Sequence, residues 1–124
     1  MNRIEPNAYT AGLVKQTMQI QEQLACFTVE YFKRIEKLGK LNTNGVLGEL
    51  ATILADYNIS ACVAHVEIDD IGYFEVFNYA TGSLKRIKIE EKNGYYKHQL
   101  FTCITEQLME TIDHFNNLLR VNEI

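Results

Sequence analysis

The chain has 124 residues, 47% of them hydrophobic and 23% charged, with a formal net charge of −4. That length suits one domain, hiding roughly two thirds of its unfolded surface without disulfide or metal staples. The acidic balance works against non-specific attraction to phosphate backbones or anionic lipid, while leaving room for a local basic patch.

Residues 1–7, which include the only proline, Pro6, read as a flexible tail ahead of the first helix. The N-terminus lacks the basic-then-apolar layout of a secretory signal, and no run approaches the ~18 apolar residues of a membrane span. Three widely spaced cysteines, Cys26, Cys62 and Cys103, form no CxxC pair, so free thiols in a reducing compartment are the simplest expectation. The sequence points to a single domain over residues 1–124, in the cytoplasm.

The first helix spans Leu13–Leu38. At 100° per residue, Leu13, Ile20, Leu24, Phe27, Tyr31, Ile35 and Leu38 fall on one line, and Val14, Met18, Ala25, Val29 and Phe32 on a second line beside it. Together they cover an arc of roughly 200°, where about 100° suffices for a helix lying on a core. Such a helix is expected to be contacted on two sides, by its own domain and by something else. Gly39 follows as a residue type that closes helices in the left-handed conformation. Lys33, Arg34, Lys37 and Lys40 crowd that end and complement the helix dipole.

A second helix begins with Thr43 or Asn44 as cap. It carries a narrower stripe of Val46, Leu47, Leu50, Ala51, Ile53, Leu54 and Tyr57, and it ends near Asn58. From Ile59 the hydrophobic period shifts from 3.6 to 2. Strands are expected over 60–68, 73–79 and 84–91, joined by turns at Asp69–Gly72 and Thr81–Ser83, with Asn93-Gly94 a further turn. Leu100/Phe101, Ile104, Leu108, Ile112, Phe115 and Leu118/Leu119 then recur at helical spacing. Tyr95–His98 fits either a fourth strand or the lead-in to that helix. The order is α-α-β-β-β-α, an α+β domain with a three-stranded antiparallel meander packed by a long N-terminal and a C-terminal helix. Residues 44–120 resemble the element order of double-stranded-RNA-binding domains. The likeness is one of topology: that family's second helix opens with a basic cluster, and here Thr105, Glu106 and Glu110 stand in the equivalent region.

Strand register decides which face of the sheet is buried. A first hairpin closing at Asp70-Ile71 and a bulged three-residue second loop, with Gly82 left-handed, gather Ala64, Val66, Ile68, Tyr73, Phe77, Tyr79, Ile87 and Ile89 on one face, with Glu75 the misfit. In that register the solvent face carries His65, Glu67, Phe74, Val76, Asn78, Arg86, Lys88 and Glu90. Strand three is charged, as protected edges are, whereas Ser60-Ala61-Cys62-Val63-Ala64 on strand one has no charge and invites pairing.

Chemistry-bearing constellations are sparse. Cys103 and His98 lie about 140° apart on a helix, and Cys62 and His65 point to opposite faces of a strand, so no thiol nucleophile with an adjacent base is spelled out. His65, His98, His114, the cysteines and Asp69/Asp70 lack metal-ligand spacing, and Gly45 and Gly48 fit no phosphate-loop pattern. Phe74 beside Arg86 and Lys88 is the one aromatic-basic arrangement that suits base stacking, and Glu67, Glu75 and Glu90 dilute it. By elimination, the sequence favours a non-enzymatic protein–protein interaction or regulatory domain that self-associates. It needs no cofactor or metal. Its expected contact surface is Met18, Ala25, Phe32, Val63, His65, Phe74, Val76, Arg86 and Lys88. The alternative is a small molecule held between sheet and first helix near Tyr31, Tyr73, Phe77 and Tyr79.

Overall fold

The computed structural model describes residues 8–90, 92 and 94–121. Over them run α1 (Ala8–Gly39), α2 (Thr43–Asp56), β1 (Ala61–Ile68), β2 (Ile71–Asn78), β3 (Leu84–Lys88) and α3 (Tyr95–Val121). This is the expected α-α-β-β-β-α order, with the strands in spatial order β1-β2-β3. Tyr95–His98 forms the first turn of α3 rather than a fourth strand. The N-terminal tail, Glu91 and Asn93 lie outside the described residues.

One line of α1 enters the core as its spacing requires. Leu13, Phe27 and Leu38 are buried, and Ile20, Leu24 and Tyr31 pack against the buried cluster. Phe27 stacks on Phe101 of α3 at 5.3 Å between ring centroids. Thr17, also buried, returns its hydroxyl hydrogen to the Leu13 carbonyl at 2.9 Å, so it enters the packed side already satisfied.

The end of α1 differs from expectation. Positive φ occurs at Gly82 and Gly94 among the described glycines, and not at Gly39. The last turn tightens instead, with Lys40 N–H donating to Lys37 O and Leu41 N–H to Leu38 O. Lys97 of α3 donates its ammonium to the carbonyls of Leu38 (2.9 Å) and Leu41 (2.6 Å). A cation from a distant element satisfies the orphan carbonyls, so no left-handed residue is needed there. Lys97→Met is expected to lower stability by about 1.5–3 kcal/mol, the range for hydrogen bonds from a charged donor. Urea denaturation measures it, and an unchanged midpoint would mean that water replaces the ammonium at no cost.

The basic cluster is spent within the fold. Arg34 bonds Glu30 and Glu49, and Lys37 pairs with Glu49, so the cations tie α1 to α2. The Tyr57 hydroxyl donates to Glu30 at 3.0 Å. Bonds from Tyr57 and then Arg34 hold the Glu30 carboxyl below its ordinary value of 4.5. Bonds from Lys37 and then Arg34 do the same for Glu49. Depressed folded-state values stabilise above the unfolded value, and that contribution fades as pH falls through the folded one. Stability is therefore expected to drop as pH is lowered below 4.5, and Glu49→Gln should flatten the drop. Urea midpoints across the acid range read it directly; an identical slope in the variant would remove Glu49 from the explanation.

Asn42, one residue ahead of the expected cap, accepts the Gly45 N–H at 2.8 Å and starts α2. Asn58, left-handed at φ 53°, closes it, with Ile59 N–H reaching Leu54 O and Asn58 N–H reaching Ala55 O. These two bonds are the Schellman pattern.

The sheet overturns the expected register. Asp69 and Asp70 both take positive φ and make a two-residue hairpin turn, pairing Ile68 with Ile71 and His65 with Phe74. This is the primed turn that matches strand twist. The second loop is four residues long, Tyr79–Gly82, with Asn78 N–H bonded to Ser83 O and Gly82 left-handed as expected. It sets Phe74 opposite Ile87 and Glu75 opposite Arg86. Phe74, Val76 and Asn78 therefore face α3 and are buried, while Tyr73, Phe77 and Tyr79 face away from it. On β1 and β2 the face expected to be solvated is the core face, whereas on β3 Ile87 and Ile89 pack on the core and Arg86 and Lys88 stay outside, as expected. α3 lies across β2 and β3, α2 packs on β1, and α1 packs on α3, so the described helices cover one side of the sheet.

Candidate functional site

Three features remain once the core is assigned: a row along α1, the outer face of the sheet, and a cavity between α1, α3 and the ends of β1 and β2.

The second apolar line of α1 stands open. Met18 is 63% and Phe32 66% exposed, with Val14 and Val29 about half exposed, and Ile35, expected on the core-facing line, is also about half exposed and joins this side. Ala25 is exposed between them. Val14, Met18, Gln21, Ala25, Thr28, Phe32 and Ile35 follow one another at alternating steps of four and three residues. That spacing is the seam of helices paired at shallow angles. No charged side chain interrupts it.

The outer sheet face is also rich in apolar groups. Cys62, Ala64, Ile68, Ile71, Tyr79 and Leu84 are exposed there. Phe77 meets Tyr79 edge-on at 5.2 Å. Its middle is crossed by charge: Arg86 Nε donates to Glu75 at 3.1 Å, and Lys88 lies opposite Tyr73. This distribution splits the contact surface expected from the sequence. Met18, Ala25 and Phe32 share the open row of α1. Arg86 and Lys88 stand on the outer sheet face. Val63 packs against the core, His65 leans on Phe74 from the inner face, and Phe74 and Val76 are fully buried. Phe74 and Val76 thus belong to the interior and leave the candidate surface; they fill the gap under α3 that the four-residue loop assigns to them.

The tyrosine site does not assemble. The Tyr31 hydroxyl shares a hydrogen bond with His98 Nδ1 at 2.8 Å, and its ring lies 4.5 Å from that of Phe101, on the α1–α3 contact. Tyr73, Phe77 and Tyr79 are on the far side of the sheet. A cavity of about 580 Å³ does lie between sheet and first helix, lined by other residues. Ile20, Ile104, Leu108 and Phe115 supply apolar wall, Asn78, Gln107 and Thr111 supply polar wall, and Glu22 and Asp56 are the ionic lining residues among the described residues. Gln23 donates to the Asn58 carbonyl at 3.2 Å, joining two of its lining elements.

The polar wall is a built network. Asn78 Nδ2 donates to Gln107 O (3.1 Å) and to Thr111 Oγ1 (2.8 Å), and Gln107 Nε2 donates to Val76 O (3.1 Å). Gln107 is 2% exposed, and its Oε1 has no partner among the described residues. Turning the amide over would set oxygen against the Val76 carbonyl, so the network fixes the orientation. A buried acceptor without a donor costs about 1–3 kcal/mol. Sequence reasoning passed over this group, although Gln107 and Thr111 fall on the buried line of α3 with Leu100 and Ile104. Polar residues at helical spacing on an apolar stripe were the available signal.

The thiols lie apart. Burial pushes the Cys103 thiol up to about 11, which keeps it protonated and a poor nucleophile at neutral pH. Cys62 is exposed on the outer sheet face beside Tyr79, and Cys26 is partly covered on α1. Among the described residues no group of three His, Cys, Asp or Glu side chains is placed to hold a metal ion. No helix among them is long and apolar enough to cross a membrane. Comparison with protein-family models, with curated proteins and with solved structures finds no match for this chain.

Proposed function

We propose that this chain is a protein–protein interaction domain of regulatory or inhibitory type, and that it pairs with a second copy of itself through the outer row of α1. The observation that carries this is the open row itself: an uncharged 4-3 repeat on a 32-residue helix whose other line, Ile35 apart, is packed on the core. Isolated exposed apolar residues are ordinary, whereas Val14, Met18, Ala25, Phe32 and Ile35 gathered on one helix face, with Gln21 and Thr28 between them, read as a contact site. A like helix is the occupant that the spacing suits, because 4-3 rows interlock with 4-3 rows. Two-fold pairing uses one patch twice, so one chain supplies both halves. The outer sheet face is the weaker candidate for self-pairing, since joining two copies there would desolvate Arg86 and Lys88. Three free thiols suit a reducing compartment, and we place the protein in the cytoplasm on that ground.

Sedimentation velocity across the micromolar range tests the reading. A dimer that dissociates on dilution is the expected result; a sharp monomer boundary at every concentration would overturn it.

A further inference from the structure

We propose that the cavity between α1, α3 and the ends of β1 and β2 is a binding site for a small organic molecule with an apolar body and an N–H or O–H donor, neutral or cationic. Its volume of about 580 Å³ lies in the range of small-molecule sites. Ile20, Ile104, Leu108 and Phe115 offer the apolar wall. The chemistry of the ligand follows from what the polar wall has already used. Both Asn78 amide hydrogens are engaged, and the Thr111 hydroxyl donates to Gln107 O. What stays open is an acceptor, Gln107 Oε1, buried and without a partner among the described residues. The atom has almost no accessible surface in this structure, so a donor delivered from the cavity completes the network as the Gln107 side chain shifts toward it.

Charge selects further. Among the described residues the ionic groups lining the cavity are carboxylates, Glu22 and Asp56, and none is Lys or Arg. The site therefore disfavours an anion and accepts a cation at its rim. None of Val14, Met18, Ala25 or Phe32 lines the cavity, so this site stands whether or not the α1 row pairs two copies.

Three ring compounds of matched size separate the possibilities: benzamidine (cationic donor), benzamide (neutral donor) and benzoate (anionic acceptor). Each is titrated at millimolar concentration into the full-length ¹⁵N-labelled chain. Benzamidine and benzamide are expected to give saturable shifts at the Gln107 side-chain amide and at Thr111 and Ile104, and benzoate none. Gln107→Met keeps the side-chain length and removes the acceptor, and it is expected to weaken benzamidine about tenfold, the worth of one buried hydrogen bond. Should that variant fail to fold, Ser60→Trp plugs the rim from an exposed position and is expected to abolish the shifts. Shifts by benzoate equal to those by benzamidine, shifts that persist in Ser60→Trp, or no saturable shift with any of the three would each overturn the proposal.

Discussion

Phe32→Asp is expected to leave the chain folded and to separate the paired copies. The ring is 66% exposed in a single copy, so its loss removes little from the core. In a two-fold pair each copy contributes one Phe32, and burying such a side chain is worth about 1.5–3 kcal/mol. Two copies therefore account for about 3–6 kcal/mol, a weakening of about 10²- to 10⁴-fold in Kd. The introduced carboxylates add desolvation cost inside the row. Sedimentation should show a monomer at concentrations where the parent is paired, with a circular dichroism melt within a few degrees of the parent extrapolated to full dissociation. A variant that still pairs like the parent would move the interface off this row.

Phe27→Asp, five positions earlier on the same helix, is expected to unfold the chain. Phe27 is fully buried and stacks on Phe101 in the central α1–α3 contact. Removing a buried phenyl costs about 3–5 kcal/mol, and a buried carboxylate without a cation costs several more. Total stabilities of such domains are about 5–15 kcal/mol, so most or all of the margin is consumed. Loss of the cooperative thermal transition is the readout. A cooperative melt close to the parent's would mean that α1 is not anchored through Phe27. The contrast between the two aspartates is the sharper test, since one substitution type on one helix gives opposite outcomes only if the two lines have separate jobs.

How far the sequence carried differs by element. The two lines of α1 were legible because helical period depends on local spacing alone, and Phe27 and Phe32 separate as that spacing requires, while Ile35, expected with Phe27, stands half exposed. The sheet face was not legible, because both faces are apolar enough to be a core. Val66, Ile68, Tyr73 and Phe77 pattern as well as Val63, Phe74, Val76 and Ile87 do. The choice rests on loop length and on tertiary hydrogen bonds. A four-residue loop, where three were expected, sets Phe74 against Ile87, and Asn78 is drawn inward by Thr111 and the Gln107 carbonyl, more than 25 residues away. Such long-range bonds leave no trace in a local pattern. The end of α1 failed for the same reason: Lys97 performs at a distance what Gly39 was expected to do locally.

That face assignment leaves two open apolar surfaces among the described residues, the outer row of α1 and the outer face of the sheet, which makes their occupants the central question about this molecule. The most direct measurement is an isotope-filtered nuclear Overhauser experiment on an equal mixture of ¹³C-labelled and unlabelled chains. Cross-copy contacts from the Phe32 ring of one copy to methyl groups of the α1 row of the other, Met18 if the helices run antiparallel or Val29 if they run parallel, are the expected result. Cross-copy contacts confined to Tyr79 and Leu84 of the sheet, or none at a concentration where the chain sediments as a pair, would contradict the assignment of α1 as the pairing surface.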